Sequence, residues 1–128
     1  MKKEIINSAD APNPTKPYLC QAVRVDSFIF TSGLNARDVS GALVGAGDVR
    51  VQTKKTIENM RAVLRSAGAD LENVVKLTFY LRNMEDFEKV AEIRLQYFKT
   101  PTASTTVGVQ RLTHPDMLVE IDSIAVMA

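Results

Sequence analysis

The 128-residue chain predicts an α+β fold, a mixed β-sheet with two helices packed on one face. Three observations carry that prediction. Apolar residues recur at the helical period in two stretches, one after Asp48 and one after Asn83. They alternate at period two in Val74 to Leu81 and sit in a second strand-like run from Leu118 to Val126. The segments follow one another as strands, helix, strand, helix, strands, an order that suits helices segregated to one side of a sheet.

Each element has its own local reason. Lys3 to Ile6 reads as a short first strand, and Asn7 to Pro17 as a loop, because Pro12, Pro14 and Pro17 block regular ladders. Cys20 to Val25 and Phe28 to Ser32 read as two strands turned at Asp26-Ser27. Gly33 to Gly47 is rich in Gly, Asn, Asp and Ser and reads as a loop, with a short strand near Leu43. Asp48 is a good N-cap for a helix to about Ala67 whose stripe is Thr53, Ile57, Met60, Leu64 and Ala67, with Gly68 as the stop. In Val74 to Leu81, residues 75, 77, 79 and 81 fall on one face and 74, 76, 78 and 80 on the other. Asn83, with Asp86 three residues on, opens a second helix from Met84 to about Phe98. Strands Ala103 to Val109 and Leu118 to Val126 close the chain, joined through Thr113-His114-Pro115-Asp116.

The bulk numbers narrow the function classes. One domain over residues 1–128 suits this length. A net charge of +1 gives no field to draw the chain to nucleic acid or an anionic membrane, so neither partner is expected. Cys20 is the only cysteine, which excludes an intrachain disulfide and fits a reducing compartment. With the single His114 it cannot build the usual structural zinc site, and no metal is expected. The first ten residues hold no long apolar run, so neither a signal peptide nor a membrane span is expected, and the expected location is the cytoplasm.

The sheet face away from the helices draws attention. Leu118, Glu120, Asp122, Ile124 and Val126 share one side of the last strand, and Lys76, Thr78 and Tyr80 one side of the strand at Val74. Ser104, Thr106 and Gly108 share one side of theirs and are expected to join them. Such a face is too apolar for water alone and too polar for a core, and a subunit interface with clefts would satisfy both halves.

Eight segments in order give the chain a resemblance. They are Gln21-Ala-Val, Phe30-Thr-Ser-Gly33, Gly47-Asp-Val-x-x-Gln-Thr, Ile57-Glu-Asn-Met, Gly68-Ala-x-Leu-x-x-Val-Val-Lys76, Met84-x-Asp-Phe87, Thr106-Val-Gly-Val and Val119-Glu-Ile-x-x-Ile-Ala. Together they resemble the RidA (YjgF) family over about Tyr18 to Val126. The resemblance implies a chorismate-mutase-like α+β fold, a homotrimer with three clefts between subunits, and hydrolytic deamination of enamines or imines such as 2-aminoacrylate without a cofactor. Older names in the family speak of an endoribonuclease.

The resemblance also assigns candidate residues and marks departures. Glu120 matches the family carboxylate thought to handle water or a proton, and a partly buried glutamate tends toward a raised pKa useful for that task. Ser32 and Gly33 match the family's Ser-Gly turn, and Tyr18 or its neighbour Leu19 the family tyrosine. Ser104 stands where the main branch has a substrate-gripping arginine, and Ala91 where it has an asparagine. A serine offers one neutral donor in place of a bidentate fork. Thr106 is a further hydrogen-bonding candidate beside Ser104. Two arginines are candidates for the missing charge. Arg94 falls within the apolar stripe of the second helix (Phe87, Val90, Ala91, Tyr97, Phe98), where an arginine must find a carboxylate, a carbonyl or an anion, or pack its stem and snorkel its head. Arg37 follows the Ser-Gly turn, as in family members that act on 2-aminomuconate-type intermediates. The expected ligand is a small carboxylate-bearing or aromatic-derived molecule. A non-catalytic ligand-binding or chaperone-like trimer is the alternative.

Overall fold

The computed structural model describes residues 2–128. A six-stranded sheet runs in the order β1-β2-β3-β6-β4-β5, with β1 Glu4–Ile6, β2 Ala22–Val25, β3 Phe28–Thr31, β4 Val74–Leu81, β5 Ala103–Gly108 and β6 Val119–Val126. Every neighbouring pair is antiparallel except β4 and β5. That parallel pair is joined by helix α2 (Phe87–Tyr97), because parallel strands need a crossover. Helix α1 (Val49–Ser66) lies beside it.

The core is a single layer between helices and sheet. Leu77, Phe79 and Leu81 of β4, Val119 and Ile121 of β6 and Ile29 of β3 face Ile57, Met60 and Leu64 of α1 and Val90 and Ile93 of α2. Asp48 caps α1 by accepting from the Val51 N–H at 3.1 Å. Gly68 ends it at φ +84°, a left-handed conformation that costs glycine nothing.

Three expectations need correction. Strand β4 alternates as read from residue 76 onward, but a bulge between Val74 and Lys76 reverses its first turn. Val74 is buried and Val75 is 46% exposed, the opposite of strict alternation, because the extra residue shifts the pleat by one. Asn83 makes no side-chain cap bond. Residues Met84–Asp86 form a single 3₁₀ turn before α2 begins at Phe87. The third correction concerns β5. Its parallel register pairs Ser104 with Leu77 and Thr106 with Phe79, so Ser104 and Thr106 lie on the helix side. Ala103, Thr105 and Val107 pair with Lys76, Thr78 and Tyr80 and take the open side instead. The sequence shows the alternation of β5 but not which phase meets β4. The smaller differences are at ends: β2 begins at Ala22 rather than Cys20, and the Leu43 strand is an isolated bridge to Arg37.

Candidate functional site

On the open side, β6 projects Glu120, Asp122 and Ile124 opposite Tyr80, Thr78 and Lys76. Glu120 sits where β6 meets the loop after β3. Leu34 and Ile121 exchange backbone hydrogen bonds there at 2.8 and 3.0 Å, fixing the loop against the strand. The glutamate side chain then lies directly over Gly33. A Cβ at residue 33 would collide with the Glu120 carboxylate oxygen Oε2 and with its Cδ at 2.8 Å. Gly33 is needed here for close approach rather than for an unusual φ.

A cleft of about 640 Å³ opens at this point, lined by Glu120, Gly33, Ser32, Arg37, Cys20 and Leu19 among others. Burial pushes the Glu120 pKa above the ordinary glutamate value, and the negative charge of Asp122 adds to the rise. Asp122 itself accepts a hydrogen bond from the Tyr80 hydroxyl at 2.9 Å, and that bond, with burial, raises the tyrosine pKa. The Ser32 hydroxyl donates to the Cys20 carbonyl at 2.6 Å, so it pins the cleft wall and its oxygen remains an acceptor. The Arg37 side chain donates to the Gly41 carbonyl at 2.9 Å while lining the same cleft. Tyr18 is 80% exposed and does not line the cleft, whereas Leu19 does.

The other candidates form a second group on the helix side. Arg94 of α2 donates through Nη1 to the Ser104 hydroxyl at 2.8 Å and through Nη2 to the Thr102 hydroxyl at 2.9 Å. Its guanidinium carbon lies 5.1 Å from the centre of the Phe79 ring. Burial pushes its pKa down from the ordinary arginine value, but an arginine stays charged in proteins. Thr106 lines a small apolar slot beside it, with Phe79, Leu81, Phe87, Val90 and Ala91. Sequence reasoning put Glu120, Ser32, Ser104 and Thr106 in one site with Arg37 or Arg94 as its cation; within one copy Glu120, Ser32, Gly33 and Arg37 line the cleft, and Ser104 and Thr106 lie with Arg94 on the other side of the sheet. It did not find Gln21, Gln52 and Asn59, three buried amides that hold the cleft's loops. Gln21 donates to the carbonyls of Ser8 and Pro12, and Asn59 to those of Asn35 and Arg37. The signal was a polar residue inside an apolar stripe, as at Asn59 between Ile57 and Met60.

Residues 8–127 match the family model described as Endoribonuclease L-PSP. A RutC family protein of Pyrococcus abyssi is 42% identical over 126 residues, covering 98% of each chain. A protein of Dermatophagoides farinae named 2-iminobutanoate/2-iminopropanoate deaminase is 35% identical over 126 residues, 98% of this chain and 97% of that one. Among solved structures, E. coli TdcF with bound serine superposes with a TM-score of 0.90 at 31% identity, covering 98% of this chain and 99% of that one.

Proposed function

The chain belongs to the endoribonuclease L-PSP family, the family of RidA and YjgF, and we propose that it is a hydrolytic deaminase of small enamines and imines. The observation that carries this reading is Glu120: a half-buried carboxyl of raised pKa, seated against a glycine in an open cleft. The names of relatives that are enamine or imine deaminases, such as the D. farinae protein, support it.

The chemistry follows from that pKa. An enamine becomes an iminium by taking a proton on carbon, and a carboxyl whose pKa is raised by burial is the better placed to supply it. Water then adds to the C=N carbon and gives up a proton to the Glu120 carboxylate. The protonated Glu120 carboxyl then gives its proton to the carbinolamine nitrogen, the C–N bond breaks to release ammonia, and the hydroxyl proton returns to the Glu120 carboxylate as the keto compound forms. Leu19, Cys20 and Gly33 shape the cleft, and Arg37 supplies a positive charge at its edge. A nuclease reading draws no support, since Arg37 is the only cation among the cleft-lining residues and the net charge is +1.

The site spans two copies of the chain in this reading. Glu120 faces the open side of the sheet and Arg94 the helix side, so one copy cannot bring both to one ligand. The open side carries exposed Ile5, Phe28, Phe30 and Val107, apolar surface of the kind a homotrimer interface covers.

The test is ammonia release from freshly generated imines. The panel includes 2-iminopropanoate, 2-iminobutanoate and a 2-aminomuconate-type substrate, the last because Arg37 lines the cleft. Turnover that falls by about 10²-fold or more in Glu120→Gln supports the assignment. A purified protein inert toward the whole panel sinks it, and ligand binding without turnover would favour a non-catalytic binding protein.

A further inference from the structure

Three half-buried side chains stand together on the open face of the sheet: Tyr80, Glu120 and Asp122. The register sets Tyr80 directly opposite Glu120, while Asp122 lies two residues farther along β6, opposite Thr78. Residues two apart on a strand share a face, and a tyrosine reaches both the partner opposite and the diagonal one. Its hydroxyl has one proton to donate. That proton goes to the diagonal partner: Tyr80 donates to Asp122 Oδ2 at 2.9 Å. Among the described residues no hydrogen bond reaches the Glu120 carboxyl, and what acts on it is burial and the Asp122 charge.

The destination of that bond matters, because a donor stabilises the ionised form of the carboxylate that accepts from it. A hydroxyl bonded to Glu120 would favour its anion and empty it of the proton. Given to Asp122, the same bond fixes a negative charge beside Glu120 and spares Glu120 the donor. Both effects keep the proton on Glu120. The other ionisable groups nearby are turned to other partners or to the cleft. Lys76, farther along β4, donates to the Thr105 hydroxyl at 2.7 Å. Arg37 donates to the Gly41 carbonyl, and Cys20 lines the cleft wall.

We propose that Asp122 draws the Tyr80 hydroxyl away from Glu120, and that Glu120 keeps its proton as a result. Asp122 and Tyr80 are thus positioning residues that act through Glu120. That the retained proton serves a reaction rests on the deaminase reading, while its placement stands on the contacts of the sheet.

The experiment is a carbon-13 NMR titration of the side-chain carboxyls in the full-length protein, with the Glu120 signal identified by its loss in Glu120→Gln. Wild-type Glu120 should titrate above the ordinary glutamate value of about 4.3. Asp122→Asn removes the charge and weakens the acceptor, so Glu120 should titrate about one pH unit lower. Tyr80→Phe alone should leave Glu120 near its wild-type value, since the lost bond is not made to Glu120. Adding Tyr80→Phe to Asp122→Asn removes the released hydroxyl, and Glu120 should climb back toward the wild-type value. Asp122→Ser gives the same comparison should Asp122→Asn fail to fold. A wild-type Glu120 at or below the ordinary value, or one unmoved by Asp122→Asn, would overturn the proposal. So would a double variant no higher than Asp122→Asn, because charge alone would then be the cause. The pH profile of kcat/KM on 2-iminopropanoate tests the deaminase reading separately. A limb that moves with the Glu120 titration across the variants upholds both, whereas a merely structural role would lower kcat and leave the limb in place. The expected titrations in a protein inert toward imines would uphold the proton placement and remove the deaminase reading. Titrations unmoved by any variant of an active enzyme would do the reverse.

Discussion

A carboxylate held partly away from water and beside a second acid is unstable as an anion, and Glu120 is in that position. Its pKa is higher in the folded chain than in the unfolded one, so the folded state binds the proton more tightly. No stability is lost below the ordinary glutamate pKa of about 4.3, and stability falls as pH rises through the raised value. Glu120→Gln cannot ionise. It is expected to unfold at higher denaturant than the wild type near about pH 8 and at the same concentration near about pH 3, a comparison that urea midpoints would settle. The same change should cost activity, so function and stability pull this residue in opposite directions. Gly33 is the other half of the arrangement. Gly33→Ala should leave secondary structure intact by circular dichroism and lower kcat, because the added methyl takes the space of the carboxylate. Wild-type kcat in Gly33→Ala would show that the carboxylate need not sit there.

Helix α1 supports the cleft from behind. Gln52 is fully buried, donates to the carbonyls of Gly45 and Asp116, and accepts from the Leu118 N–H at 2.8 Å. It thus fixes the chain two residues before Glu120. Gln52→Ala strands these groups and should destabilise by about 2–4 kcal/mol, read as a lower denaturation midpoint with unchanged slope. The same helix shows what could be read from sequence. Its cap at Asp48, its apolar stripe and its stop at Gly68 follow from local chemistry and are where the sequence places them. The phase of β5 and the bulge at the start of β4 are set by pairing with other strands, which local patterns do not encode. For the site, Glu120 and the Ser32-Gly33 turn were legible as a neighbourhood. The seating of Glu120 on Gly33 was not, because it depends on a strand and a loop far apart in sequence. The contact of Arg94 with Ser104 follows only once α2 and β5 are docked.

At the scale of the molecule, the open sheet face is the element left unexplained by one copy. Phe28 and Phe30 are 45% and 43% exposed and stack with ring centres 6.2 Å apart. If this face joins three copies of the chain, Phe30→Glu should give a folded monomer, seen by light scattering during size exclusion. A trimer that survives the change would place the interface elsewhere. If each cleft takes Glu120 from one copy and Arg94 from the next, two dead variants can repair one another. Mixed assemblies of Glu120→Gln and Arg94→Gln chains should recover about a quarter of wild-type activity, the share of clefts that random assortment leaves intact in a symmetric ring. Mixtures as inactive as their parents would mean that Arg94 takes no part in the cleft that holds Glu120.

The placement of Glu120 and Arg94 on opposite faces of a single sheet has a kinetic consequence. In the two-copy reading, a lone chain holds only half of each reagent set. Specific activity should therefore not be constant on dilution. It should decline once copies part, and the concentration at which it halves measures how tightly they hold together. If the deaminase reading holds, the rate law would then report the assembly, with no probe but the substrate.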